Sequence, residues 1–334
     1  MKNKIKAALM MSVFAVPAFA ANMENPLYMP QSGQVYSKTG IGLMLKVTDD
    51  THNQKLRLHD GKMEFPVWRP TQELGVGITD RWMIHGVMGY TYNRDIDRKG
   101  FHLGRIGTTY RVIDDMYGFV WDLYGDFHLG GLEKMRGGLD IAAGGKPVFN
   151  YDNFSNGRWG YHVGTKFGKK WSRLTTSVFV ELLRSWGNHN NEIDISKLGL
   201  GAYGMPAKVA VDIGSTTEVN AGANAFYQFN DRWSAGFGLR YNYHASNTLR
   251  KIHTEIPSTV PAPVQAKING LINQFADMDD KFGEYIFGVT VARQMTDYMQ
   301  LAWYIEDTYD TGARLSSNTT DLKVETGFRI NLKF

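Results

Sequence analysis

Residues 322–334 read LKVETGFRINLKF, and their polarity alternates with a period of two up to the final aromatic residue. One set is apolar except for a single threonine: Leu322, Val324, Thr326, Phe328, Ile330, Leu332 and Phe334. The other set is polar or glycine: Lys323, Glu325, Gly327, Arg329, Asn331 and Lys333. Because residues two apart share one face of a strand, this stretch predicts a β-strand with an apolar and a charged face.

The same alternation recurs along most of the chain. In 233–244, for example, an apolar set containing Trp233, Phe237 and Leu239 alternates with a polar set containing Arg240 and His244. This periodicity predicts an all-β chain of about twelve strands. The predicted spans are 34–47, 71–79, 82–92, 101–112, 117–128, 158–167, 171–184, 218–229, 233–244, 284–295, 298–309 and 321–334.

The connections between these spans alternate between short and long. Short polar turns are predicted at 79–82, 113–116, 168–171, 230–233 and 296–299, where Asp, Asn or Lys residues favour tight turns. The long connections are 49–70, 93–99, 129–154, 185–216, 245–282 and 310–320. The connections at 129–154 and 185–216 are long enough to hold another hairpin, with 193–195 and 209–211 as candidate strands, so fourteen strands is the alternative.

The N-terminus has the three parts of a secretory signal peptide. A basic start with Lys2, Lys4 and Lys6 precedes the mostly apolar residues 7–16, and Ala18-Phe19-Ala20 is a small-residue cleavage site. We predict that residues 1–20 are a signal peptide cleaved after Ala20, and that residues 21–334 form a single barrel domain.

Charge and cysteine content exclude some classes of protein. The signal peptide contains three of the 37 Lys and Arg residues and none of the 33 acidic ones, so the mature chain has 34 basic and 33 acidic residues. No basic excess points to nucleic acid. The chain contains no cysteine, which suits an exported protein that does not depend on disulfides.

Together the signal peptide, the alternating strands, the polar turns with following aromatics and the terminal Phe334 resemble Gram-negative outer-membrane β-barrel proteins. The resemblance implies a transmembrane antiparallel β-barrel in the bacterial outer membrane, with short periplasmic turns and long extracellular loops. It also implies that Phe334 is read by the barrel-assembly machinery. Outer-membrane lipid and lipopolysaccharide would surround the barrel, which we expect to be monomeric.

In such a barrel the polar face of each strand must line the lumen, because a charged side chain facing mid-bilayer lipid costs about 2–4 kcal/mol. The charged residues can form a constriction that selects small polar solutes, or they can pair and close the lumen. The candidate lumen-lining residues are Lys38, Lys46, Arg105, Arg111, Asp122, Asp126, His128, His162, Lys166, Arg173, Glu181, Glu218, Arg240, His244, Glu306, Lys323, Glu325 and Arg329.

The function predicted from these features is a channel for passive diffusion of small solutes. One alternative is a surface barrel with a closed lumen and an adhesive or structural role. A weaker alternative is a barrel hydrolase that depends on His128, His162 or His244. No nucleophile motif or metal-ligand spacing is present in the sequence, so no catalytic, cofactor or metal residue is predicted.

Residues 257–277 differ from the strands. Three prolines lead into apolar residues at helical spacing, among them Val264, Ile268 and Leu271, which predicts a helix in an external loop. Such a helix can narrow the mouth of the barrel or pack its apolar face on other loops.

Overall fold

The computed structural model describes residues 22–47, 66–93, 98–130, 136–141, 147–151, 158–196, 199–245, 249–253, 256–258, 260–276, 282–310 and 322–334. The predicted signal peptide and its cleavage site at Ala20 lie outside these residues. In the part of the chain that the structure describes, no helix is long and apolar enough to cross a membrane.

The described residues form seventeen strands. They are β1 (Val35–Val47), β2 (Val67–Thr79), β3 (Trp82–Asn93), β4 (Arg98–Met116), β5 (Phe119–His128), β6 (Arg136–Ile141), β7 (Pro147–Tyr151), β8 (Gly160–Trp171), β9 (Leu174–Ser185), β10 (Asn188–Asp194), β11 (Lys208–Ile213), β12 (Thr216–Gln228), β13 (Trp233–His244), β14 (Leu249–His253), β15 (Phe282–Thr296), β16 (Met299–Asp310) and β17 (Leu322–Lys333).

Twelve of these strands close into one antiparallel barrel. Their order around the wall is β1-β17-β16-β15-β13-β12-β9-β8-β5-β4-β3-β2. The first and last strands form the seam, since Tyr36 of β1 lies opposite Lys333 of β17 on one side and Gly75 of β2 on the other. The prediction of a twelve-stranded antiparallel barrel is confirmed.

The remaining five strands form a separate sheet built from the long connections, in the order β14-β11-β10-β6-β7. The two segments suspected of adding a hairpin to the barrel do contribute to strands, since β10 and β11 pair antiparallel. They pair with each other and with β6 and β14, not with barrel strands. The fourteen-stranded alternative is therefore wrong.

Three of the five predicted short turns occur where the sequence places them, near residues 80, 231 and 297, and the other two predictions are wrong. Residues 113–116 belong to β4, which is lengthened by two register shifts, and Tyr117 and Gly118 turn the chain with positive φ of 55° and 82°. Residues 168–171 end β8, and the turn follows at Ser172 and Arg173. A run of polar residues at a strand end resembles a turn in sequence, which explains both errors.

Exposure shows which face of each barrel strand is outward. In β17, Phe328 and Ile330 are 58% and 44% exposed, whereas Asn331, on the opposite face of the strand, is fully buried. Outward aromatics also lie at both rims. Trp82, Trp171 and Trp233 are at the short-turn ends of their strands, and Tyr92, Tyr243 and Tyr309 are at the long-loop ends. An apolar outer band bounded by aromatic girdles is the surface that a membrane-spanning barrel presents to lipid.

Aromatic side chains on the inner face of the barrel lie across glycines of the neighbouring strand. The four directly paired examples are Tyr36 with Gly75, Tyr124 with Gly164, Phe179 with Gly222 and Tyr304 with Gly327. In each case a Cβ on the glycine would lie within 2.4–2.7 Å of the ring. Glycine therefore provides the space in which each ring packs flat against the wall, a known way of supporting glycine in a sheet.

One helix, α1 (Ala262–Ala276), lies between β14 and β15, within the segment predicted to be helical. Its Ile268 is buried, whereas Asn269 and Gly270 are exposed, as the helical spacing predicts. The helix packs against β14 of the external sheet. This contact supports the expectation that α1 covers other loops; Asp277, the last residue of the predicted segment, lies outside the described residues.

Candidate functional site in the barrel lumen

The N-terminal segment, residues 22–34, enters the barrel before β1 begins. Its backbone is folded into successive turns, since the amides of Asn25 and Tyr28 donate to the carbonyls of Asn22 and Asn25. The side-chain Oδ1 atoms of Asn22 and Asn25 accept from the amides of Glu24 and Leu27, at 3.0 and 2.9 Å. Asparagine favours such local bonding, which explains the turns at this sequence.

Neutral side chains of three strands hold the start of this segment. Asn22 donates to the Ser234 hydroxyl of β13 at 2.6 Å and accepts from the Gln300 amide of β16 at 2.7 Å. Asn25 donates to the Thr175 hydroxyl of β9 at 3.1 Å. Ser234, Gln300 and Thr175 each occupy the second position of their strand, at the short-turn end. The segment therefore lies across that end of the lumen.

Charged side chains of the wall hold the same segment from other directions. Glu24 lies 3.3 Å from the guanidinium of Arg329 and accepts from Asn331 at 2.7 Å, both in β17. Lys166 of β8 donates to the carbonyl of Pro26 at 3.0 Å, and Arg111 of β4 donates to the carbonyl of Leu27 at 2.8 Å. Wall cations thus bind both a carboxylate and the backbone carbonyls of the segment.

Apolar side chains of the segment are buried inside the barrel. Met23, Leu27 and Pro30 are almost fully buried, and Leu27 packs beside Gly168 of β8. Tyr28 packs edge-to-face on Tyr36, with ring centroids 5.9 Å apart. Burial, helped by the nearby Glu73 carboxylate, raises the pKa of the Tyr28 phenol above its ordinary value, so this group stays neutral.

A buried ion pair lies next to the segment. Arg111 binds Asp122 of β5 through two nitrogens, at 2.8 and 3.1 Å, and the two side chains are 4% and 5% exposed. Arg111 also lies 3.6 Å from Asp114. Bidentate geometry of this kind fixes the guanidinium that binds the Leu27 carbonyl.

A cluster of histidines and carboxylates lies on the neighbouring strands β3, β4, β5, β8 and β9. Asp126 of β5 lies 2.9 Å from His85 of β3, 3.0 Å from His162 of β8 and 3.3 Å from Arg105 of β4. His162 also contacts Glu181 of β9 at 3.3 Å. The pairing register explains the cluster, because His85, Gly107, Asp126 and His162 occupy one row of directly opposed residues.

The other side of the lumen carries charges that are more accessible. Lys38 of β1 lies 4.0 Å from Glu73 of β2, and Arg69 of β2 binds Glu325 of β17. Arg69 and Arg329 remain 32% and 30% exposed. Glu306 of β16, which shares the inward face with Tyr304 and lies opposite Glu325, is exposed. These side chains therefore border open space inside the barrel.

No protein-family model matches the chain. No curated protein matches it in sequence. Among solved structures, an outer-membrane channel from Pseudomonas putida F1 aligns with a TM-score of 0.56 and 12% sequence identity, covering 96% of this chain and 100% of that chain. The alignment shows a shared fold over nearly the whole barrel.

The chain has the fold of an outer-membrane β-barrel. Two further similar structures are the NanC porin and the β-domain of the Bordetella autotransporter BrkA. The porin aligns with a TM-score of 0.41 and 9% identity over 88% of this chain and 98% of the porin. The β-domain aligns with a TM-score of 0.43 and 12% identity over 91% of this chain and 100% of that domain. Both scores are too low to support more than a general likeness.

Most of the lumen candidates of this barrel lie on the inward faces of its strands. Direct contacts connect Arg105, Asp126, His162 and Glu181 in one cluster, Arg111 with Asp122, and Lys38 with Glu73. His244 lies 3.2 Å from Glu218 and 3.6 Å from Glu284. His128 lies on the same face of β5 as Asp126, and the outward Phe127 lies between them. Arg240 lies on the same face of β13 as His244, next to the outward Leu239.

One candidate, Arg173, is placed differently from the prediction, and two others, Lys46 and Lys323, have side chains outside the described part of the chain. Arg173 is exposed in the turn after β8, where it donates to the carbonyl of Phe229 at 3.2 Å, because that turn lies later than predicted. A bulge between Met44 and Lys46 shifts the register, so that the backbone of Lys46 pairs with Val324. Lys323 pairs with Val47, and its side chain is outside the described part of the chain.

The N-terminal segment itself, with Arg69, Glu73 and His85, was missed. Glu73 and His85 lie on the inward faces of β2 and β3, where no lumen residue was predicted. The period-two pattern of these strands could have found both. The segment has no alternation. Asn22 and the pair Asn25-Pro26 indicate turns, but they do not show which residues of the barrel wall bind the segment.

Two of the three histidines named for a hydrolase, His162 and His244, are not arranged as a catalytic base. Both ring nitrogens of His162 face carboxylates, Asp126 on one side and Glu181 on the other. The two nitrogens of His244 likewise face Glu218 and Glu284. A catalytic base needs one nitrogen directed at a nucleophile, so these histidines are arranged to bridge carboxylates.

Proposed function

We propose that this protein is an outer-membrane channel for the passive diffusion of small solutes through a charged lumen. The observation that supports this function is the accessible charged wall formed by Lys38, Arg69, Glu73, Glu306 and Arg329 on the inward faces of β1, β2, β16 and β17. Side chains with this exposure inside a closed barrel border space that water can fill.

The wall is mixed in sign, which determines how solutes would be selected. Arg69 binds Glu325, Arg329 lies four positions further along the same strand, and Glu306 lies opposite Glu325 in the register. Adjacent positive and negative groups create a field across the passage that favours small polar solutes. The outer surface of the barrel offers no such path for polar solutes, because its side chains are apolar and face lipid.

Charge substitution with reversal-potential measurements tests this function. Glu306→Gln removes an exposed lumen carboxylate and is expected to shift the reversal potential in a salt gradient toward anion preference. Arg69→Gln is expected to shift it in the opposite direction. The matched control is Asp231→Asn, because Asp231 is exposed in the turn between β12 and β13. Identical reversal potentials for all three variants would reject the charged-lumen mechanism.

The cellular setting is part of the proposal. The apolar band and the aromatic girdles support residence in the outer membrane, with lipid and lipopolysaccharide around the barrel. Phe334 is 67% exposed at the short-turn rim, where an assembly factor can reach it. The expectation of a monomer is tested by light scattering of the purified protein in detergent.

The alternative, a surface barrel with a closed lumen, is favoured by one specific observation. The N-terminal segment lies across the short-turn end of the lumen, and Arg111, Asp122 and Asp126 on the wall are almost fully buried in paired contacts. Paired charges of this kind can close a lumen permanently. The two functions differ in the conductance of a variant without the segment, since a channel conducts and a permanently closed barrel does not.

A further inference from the structure

The N-terminal segment makes contacts around almost the entire short-turn end of the barrel. Residues 22–33 reach β2 through the bond from the Gly33 amide to the Gly77 carbonyl, at 2.7 Å. The other contacts reach β4, β8, β9, β13, β16 and β17 through the residues described above. Because these seven strands are distributed around the closed wall, the segment must cross the lumen.

We propose that residues 22–30 are a displaceable plug of the channel, and that the lumen conducts fully only when they leave its short-turn end. This inference rests on the proposed channel function. With the predicted cleavage after Ala20, the plug would be the free end of the mature chain, so it could leave without moving any barrel strand.

The way in which the plug is held differs from the way in which the barrel is held. Barrel strands are joined by continuous backbone ladders, whereas residues 22–30 are bound to the wall through side chains. Three of the seven polar contacts to the wall described above join neutral amides and hydroxyls, each of which contributes little net free energy because water can replace the partner. The other four involve the Glu24 carboxylate or the wall cations Lys166 and Arg111, and Glu24 is the one charged side chain within residues 22–30.

A pivot lies between the plug and β1. Gly33 has φ of 77°, a left-handed conformation that glycine adopts without strain, and nothing lies within 4 Å of the position of a Cβ there. The Ser32 amide donates to Asp80 at 2.9 Å and the Gly77 amide donates to the Gln34 carbonyl at 2.9 Å. These bonds hold the base of the plug on the rim while residues 22–30 change position.

A reversible cross-link tests the proposal in the full-length chain. Asn22 and Ser234 are in direct contact, with Nδ2 and Oγ 2.6 Å apart, and the wild-type chain contains no cysteine. The variant N22C/S234C is joined by a disulfide, or by a short bis-methanethiosulfonate linker, and studied in planar bilayers before and after reduction. The single variants N22C and S234C, treated identically, are the controls.

The expected result is loss of the large conductance steps in the cross-linked protein and their return after reduction, with neither change in the single-cysteine controls. Deletion of residues 22–30 is expected to raise the unit conductance about twofold or more, because a constriction is removed. Heat-modifiable migration on gels establishes that each variant has folded.

Two outcomes contradict the proposal for different reasons. If the cross-linked and deleted proteins both conduct as the wild type does, the segment is not a plug, although the channel function stands. If the folded wild-type, reduced and deleted proteins are all silent, the channel function fails and the plug inference fails with it.

Discussion

Glu24 and Arg329 meet inside the barrel with a nitrogen–oxygen distance of 3.3 Å, although 305 positions separate them in the 334-residue chain. The pair joins the N-terminal segment to the last strand of the barrel. Asn331, two positions further along β17, donates a second bond to the same carboxylate at 2.7 Å. The charged contact of the plug is thus made beside the seam at which β1 and β17 close the wall.

Replacing this carboxylate should loosen the plug. Glu24→Gln removes the charge that Arg329 binds while it preserves the size of the side chain, so we expect channels to spend more time in the large-conductance state. Single-channel recording measures the change. The control is Glu192→Gln, since Glu192 is exposed on the external sheet near Lys208. Unchanged open-state occupancy in Glu24→Gln would show that this ion pair does not hold the plug.

Removing the buried guanidinium of Arg111 should destabilise the barrel strongly. The Arg111→Ala variant leaves Asp122 buried without its bidentate partner, which costs about 3–5 kcal/mol for a buried pair. The free energy of unfolding in urea, measured in lipid vesicles, should fall by that amount. Arg232→Ala, at an exposed turn, should change it by less than about 0.5 kcal/mol. Equal stabilities of the two variants would contradict a structural role for the Arg111–Asp122 pair.

The packing of aromatic rings across glycines allows a separate prediction about the free energy of unfolding. In Gly164→Ala the new methyl group would lie 2.6 Å from Cε2 of Tyr124, so the ring must move and its 2.7 Å bond to Glu181 is disturbed. Overpacking of this kind costs about 1–3 kcal/mol. Gly270→Ala, which has open space around it in α1, is the control and should change the free energy of unfolding by about 1 kcal/mol or less. Tolerance of alanine at 164 equal to that at 270 would refute this packing.

The terminal aromatic residue should matter for assembly. Phe334 exchanges backbone bonds of 2.8 and 3.1 Å with Val35 at the seam, and its ring is exposed at the rim. Phe334→Ser retains those backbone bonds but removes the ring, so we expect less heat-modifiable barrel in isolated outer membranes. Phe334→Tyr retains an aromatic ring and should assemble normally. Equal yields of both variants would show that assembly does not depend on the ring.

The fold was predictable because a strand that faces lipid on one side and a lumen on the other must alternate in every residue. Residues 322–334 show that alternation with Thr326 as its one exception, and β17 spans Leu322–Lys333. The predicted strand and turn positions were wrong where this two-residue alternation is broken. A bulge pairs the backbone of Lys46 with Val324, and polar residues at the end of β8 resemble the turn that follows at Arg173.

The plug was not predictable from local pattern for a different reason. Its partners Ser234, Gln300 and Asn331 lie more than 200 positions away from it, and each is an ordinary polar residue of an inward row. Alternation shows that a residue faces the lumen but not what fills the lumen beside it. Only the closed register of the barrel brings these side chains to the same end as Asn22 and Glu24.

Single-channel conductance of the refolded protein in a planar bilayer, with and without residues 22–30 and with the reversal potential in a salt gradient, tests the central claim most directly. We predict discrete steps in both proteins, larger steps in the deleted one, and a reversal potential that responds to Glu306→Gln. Well-folded barrels that show no steps in either form would contradict the channel function.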